Sequence, residues 1–113
     1  MINRSALVIK VKQPFLDWLK LLPDPSKVTL EEANRDSTVY LLSELWSDDA
    51  QEEMLKLFFG IIFEDQLNGW WTEKQDWPKK RDFALFKKWF DVELHSIVHD
   101  LVDAPLEDDD VEH

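Results

Sequence analysis

The chain contains no cysteine. That excludes a disulfide framework, a thiolate nucleophile and any cysteine-held zinc or iron–sulfur cluster. Glycine is almost as scarce, with two residues in 113, so no glycine-rich loop is available to cradle a phosphate. Long hydrophobic runs are also missing. The longest, Leu57 to Phe63, is seven residues with its glycine, far below the roughly 20 needed to cross a bilayer. The opening MINRSALVIK has neither the apolar stretch nor the small-residue cleavage site of a secretory leader. The expectation is a cytoplasmic protein of bacterial style, with no membrane attachment.

Positive charge is in deficit: 13 bases face 24 acids, for a net charge of −11. Six of those acids lie in the tail from Asp103 to His113, which has no Lys or Arg, leaving −5 for residues 1–102. A body of that sign repels phosphate backbones, so direct nucleic-acid binding is not expected. An acidic decoy of a nucleic acid is the weakest of the readings the composition allows. With 44% apolar and 33% charged residues, the chain has the makeup of a folded domain. The expected division is one globular domain over 1–103 and a disordered acidic tail over 104–113.

Residues 5–12, SALVIKVK, read as a strand. Pro14 ends it, and Phe15, Trp18, Leu19 and Leu22 then recur at helical spacing. Pro-Asp-Pro at 23–25 stops that helix, and Thr29 with Glu32 makes a capping-box pattern. Residues 37–45 suggest a second strand, and 47–67 a long helix with acids crowding its start, where they meet the positive end of the helix dipole. Met54, Leu55, Phe58, Ile61 and Ile62 form that helix's apolar stripe, with Asn68 and Gly69 as its stop. A loop over 70–81 follows, and Asp82 caps a third helix running to about Val102. The expected fold is a small α+β domain in the order β-α-β-α-α. Two strands, or at most three, pack against three main helices, and a third strand near Trp70 and Trp71 has no alternation to mark it.

The segment WFDVELHSIVHDL at 89–101 comes nearest to a chemical motif. On a helix, His95 and His99 share a face, as in zinc hydrolases. Wound at about 100° per residue, however, Phe83, Phe86, Phe90, Leu94, Ile97 and Leu101 form the core stripe. Asp91, His95, His99 and Asp103 then fall in a row on the solvent side. Ser96 stands where a zincin places its glutamate base. Neither a catalytic metal nor a cofactor is expected.

The same winding puts Glu93 within the apolar stripe and Asp100 at its margin, while Asp65 continues the stripe of the preceding helix. Buried carboxylates need partners. Either they pair with Arg4, Lys74 or Arg81 at the rim, or they converge on a pocket with raised pKa values. Of the six tryptophans, Trp18 and Trp89 have core spacing, while Trp70, Trp71 and Trp77 occupy the loop. These three rings act either as a lid on the central helix or as a binding hot spot. Six bases lie between residues 74 and 88 and seven acids between 44 and 65, so the molecule is polarised.

Three segments, NRSALVIKVKQPFLDWL, NGWW and WPKKRDFALFKKWFDVELHS, together resemble a small uncharacterised bacterial cytoplasmic family with no known function. The resemblance spans nearly the whole body, stops before the tail, and implies a compact single domain without assigning any site. The leading functional expectation is a non-enzymatic protein-interaction or regulatory module, a monomer or homodimer. Its contact surface would be the acidic helix or the tryptophan loop, and its protein partner is not identified by the sequence. The alternative is a small-molecule-binding protein or minor hydrolase with carboxylates around an aromatic pocket. The candidate interaction or pocket residues are Asp65, Trp70, Trp71, Trp77, Trp89, Glu93 and Asp100.

Overall fold

The computed structural model describes residues 3–23, 27–43 and 50–102. The expected tail, the Pro-Asp-Pro stop and the acidic approach to the long helix fall wholly or largely outside the described residues. The elements are β1 (Arg4–Val11), α1 (Gln13–Lys20), α2 (Leu30–Ala33), β2 (Thr38–Ser43), α3 (Gln51–Trp70), α4 (Phe83–Trp89) and β3 (Phe90–His95). The fold is mixed α+β, with a three-stranded antiparallel sheet in the order β2-β1-β3.

β1 is central because its sequence suits a strand paired on both sides. Ser5, Leu7, Ile9 and Val11 are buried on one face, while Ala6, Val8 and Lys10 alternate on the other. Such strict alternation is the mark of a sheet with one dry side. Pro14 falls in the first turn of α1, where its missing N–H costs nothing. Phe15, Leu16 and Leu19 of that helix pack onto the sheet. The Thr29–Glu32 capping box forms in full, with Glu32 N–H donating to Thr29 Oγ1 at 3.1 Å. Asn34, just beyond α2, does something the sequence does not announce. Its side-chain amide accepts from Val11 N–H at 2.8 Å and donates to the Val11 carbonyl at 3.0 Å. One amide thereby stands in for a missing residue of β2.

α3 lies over the inner face with Met54, Leu55, Ile62, Phe63 and Leu67 buried. Two expectations about it are corrected. Ile61 is 70% exposed and Phe58 only partly buried, so the buried stripe runs through Met54, Ile62 and Phe63 instead. The helix also passes through Asn68 and Gly69 to Trp70, because Gly69 does not take the left-handed conformation that a glycine stop requires.

The larger correction concerns the C-terminal segment. Asp82 caps α4 as expected, accepting the Leu85 N–H at 2.9 Å. The helix then ends at Trp89, and Phe90–His95 form the third strand. The cause is a dual period: Phe86, Phe90 and Leu94 fit helical spacing, but Phe90, Val92 and Leu94 equally alternate with Asp91, Glu93 and His95. The unpaired side of β1 decides between them, because a strand there satisfies a whole row of backbone groups. The third strand is therefore at Phe90–His95 and not near Trp70 and Trp71.

Candidate functional site

Because β3 is a strand, the carboxylates lie elsewhere than a helical winding places them. Asp91, Glu93 and His95 point to the outer face of the sheet, away from the core. Glu93 accepts from Lys10 Nζ at 3.0 Å and lies 3.3 Å from His95 Nε2. The Lys10 hydrogen bond, and then that of His95, hold the Glu93 carboxyl below its ordinary value. This is the reverse of a shift by burial, and the partner is neither Arg4, Lys74 nor Arg81. His99 and Asp100 lie in the irregular segment after β3, where the Asp100 carboxylate accepts the Val102 N–H at 2.8 Å. The helical row of Asp91, His95 and His99 does not exist, and Asp103 lies outside the described residues. Among the described residues, no group of three or more His, Asp or Glu could hold a metal ion.

Asp65 sits on the far side of the sheet from Glu93, on α3, and accepts a hydrogen bond from the Tyr40 hydroxyl. Buried Gln66 donates to the same hydroxyl at 3.1 Å. Burial, and then the Asp65 hydrogen bond, push the phenol well above its ordinary value of 10.0. This cluster ties β2 to α3. Asp65, Glu93 and Asp100 thus lie on three different elements and do not converge on a pocket.

The tryptophan loop is tied down through its indole N–H groups. Trp77 is 6% exposed and donates to the Trp71 carbonyl at 2.7 Å, while Trp71 donates to Asp76 Oδ2 at 2.9 Å. Trp18 of α1 donates to the Asp76 carbonyl at 3.2 Å. Asp76 is therefore the hub, a role that only the loop's closure against α1 reveals. Lys74 and Arg81 stand over the Trp77 ring at 6.0 and 5.7 Å. Trp70 meets Phe15 edge-on at 6.0 Å, and Trp89 packs between Phe15, Trp18 and Phe63. The four candidate tryptophans belong to one aromatic core and its cover.

Two features remain open to solvent. The first is the outer face of the sheet. Val39 and Leu41 project from β2 at 54% and 48% exposure, beside partly exposed Ala6 and Val8 of β1. The second is a cleft of about 510 Å³ between β3, the end of α4 and the start of α3. Leu55, Phe86, Phe90 and Val92 make its apolar walls. At its rim Lys87 pairs with Glu52 at 3.0 Å, which lowers the Glu52 pKa, and Lys12 Nζ donates to the Lys87 carbonyl at 3.2 Å. Asp91 completes the rim. No sequence signal marks the cleft, because its residues come from Lys12, the start of α3 and the α4–β3 junction, which lie far apart in the chain.

No helix among the described residues is long and apolar enough to cross a membrane. Comparison with protein families, with curated proteins and with solved structures returns no match, so the sites rest on this geometry alone.

Proposed function

We propose that the chain is a non-enzymatic protein-interaction module whose contact surface is the open side of its sheet. One observation carries this reading: Val39 and Leu41 stand half-exposed side by side on a sheet face that no described element covers. A solvated sheet face ordinarily alternates to polar side chains. Contiguous apolar groups bounded by charge are instead the makeup of a contact surface, and here Lys10, Asp91 and Glu93 supply the charged border, with His95 beside Glu93. The tryptophan loop and α3 offer less. The Trp71 and Trp77 indoles are spent on internal hydrogen bonds, and Glu52 and Glu64 of α3 already pair with Lys87 and Arg81.

The test is site-specific photo-crosslinking in the cells that make the chain natively. A crosslinker in place of Val39 or Leu41 should yield one discrete protein adduct, and one in place of Lys20 on α1 should not. Identical adduct patterns from the two sides, or none from the sheet face, would sink the reading. A second reading, a small-molecule-binding protein, is favoured by the cleft, whose size lies within the usual range for ligands. A metabolite that raises the melting temperature of the wild type but not of Phe90→Ala would support it.

A further inference from the structure

Resting on that interaction reading, we infer that the free edge of β3 receives an extended peptide of another protein, one that alternates apolar and basic residues. The phase of the ladder carries the first step. Lys12 N–H donates to the Trp89 carbonyl at 2.8 Å, and the same register pairs Lys10 with Asp91, Val8 with Glu93 and Ala6 with His95. Bonded and non-bonded pairs alternate along an antiparallel ladder. Asp91, Glu93 and His95 therefore turn their backbone groups toward β1, while Val92 and Leu94 turn theirs outward. The Asn34 bonds to Val11, on the opposite side of β1, confirm this phase. No other group among the described residues bonds the outward N–H and C=O of Val92 and Leu94. Where β1 runs past β2 the fold supplies Asn34 to satisfy the exposed backbone. At β3 no described residue plays that part, and an unpaired row of this kind is a template for another strand.

The occupant's chemistry follows from what flanks the edge. Side chains alternate across a strand. In a strand added to β3, every second residue would turn to the inner side, against partly exposed Val92 at the mouth of the cleft whose buried floor is Leu55, Phe86 and Phe90. The residues between would lie on the outer side, against Asp91 and Glu93. Asp91 has no ion-pair partner among the described residues, and Glu93 shares one lysine and one histidine. Basic side chains complete that row. A second copy of β3 would instead set acid near acid, which costs free energy between cross-strand neighbours. Charge thus selects a basic segment from a different protein over self-pairing.

The probe is a short synthetic peptide alternating valine and lysine, titrated into the isotope-labelled full chain. Two controls accompany it: a valine–glutamate peptide, and a valine–lysine peptide N-methylated at every edge-facing amide. The lysine peptide should bind saturably, shift the Val92 and Leu94 amides and slow their exchange. N-methylation should weaken it by about tenfold or more, since at least two hydrogen bonds are lost. The wild type should reject the glutamate peptide, and the exposed double variant Asp91→Lys, Glu93→Lys should invert the preference. No saturable binding, equal binding of the N-methylated peptide, or shifts confined to Val39 and Leu41 would each overturn the inference. Because the N-methyl comparison uses the unaltered chain, it holds even if the double variant misfolds. A discrete adduct from the sheet-face crosslinker with no peptide binding would remove the edge site and leave the interaction reading intact. Failure of both would remove both.

Discussion

Tyr40 is the only tyrosine in the chain, so its titration can be followed without overlap from another phenol. Its hydroxyl donates to Asp65 and accepts from Gln66, joining edge strand β2 to α3. Burial first, and the Asp65 hydrogen bond second, raise its pKa above the ordinary 10.0. A raised native-state pKa means that the unfolded chain gives up the proton first. The stabilisation is therefore complete below the ordinary value and declines as pH rises through it. Tyr40→Phe should cost about 1–2 kcal/mol at neutral pH, since it strands the buried Gln66 amide. Between about pH 8 and about pH 11 its melting temperature should fall less steeply than that of the wild type. Parallel curves would show that the phenol is not held neutral by the fold.

Among the elements, α3 shows how a helix can carry a cost that its position tolerates. Gly60 sits mid-helix on the exposed side, and a Cβ built there meets nothing within 4 Å. Glycine in a helix interior gives up about 0.5–1 kcal/mol relative to alanine, through the freedom it regains on unfolding. Gly60→Ala should therefore raise the melting temperature by a few degrees in calorimetry, and no change would count against a regular helix there. The sequence expectation ended this helix at Asn68 and Gly69. That failed because a glycine stop needs a left-handed residue, and packing of Trp70 against Phe15 holds the backbone helical one turn further. The expected capping residues, Thr29 and Asp82, appear where they were read. A cap is a local bond between near neighbours, so local sequence suffices to place it.

At the scale of the whole molecule, the helices cover one side of the sheet, and among the described residues no element covers the other side or pairs with either edge. This predicts an order of protection in native-state hydrogen exchange. β1 is paired with both β2 and β3 from Ala6 to Ile9, and the amides of that stretch should exchange slowest. The outward amides of Val39 and Leu41 on β2, and of Val92 and Leu94 on β3, should exchange far faster than their in-strand neighbours. Slow exchange at Val92 and Leu94 in the isolated chain would mean that the β3 edge is already occupied, and the peptide site would be lost with it. The aromatic core on the covered side is continuous from Phe83 through Phe86 and Phe90 to Phe15 and Trp89. The variants that test the open side lie outside this core, so they should change binding without unfolding the protein.

What the sequence determined by itself was local: the alternation of β1, the proline-started α1, the capping box of α2 and the cap of α4. Each depends on residues within a few positions of one another, where spacing and side-chain chemistry act directly on the backbone. The α+β class followed from the same signals. The tertiary structure alone decided the fate of Phe90–His95, whose apolar residues satisfy a helical and an alternating period together. With local preference balanced, the unsatisfied flank of β1 settled the choice, because a row of buried backbone bonds outweighs the small propensity difference of a short segment. That one decision turned Glu93 from the stripe to the sheet face and separated His95 from His99. It also built the cleft and created the edge at Val92 and Leu94, sites assembled from residues that only folding brings together.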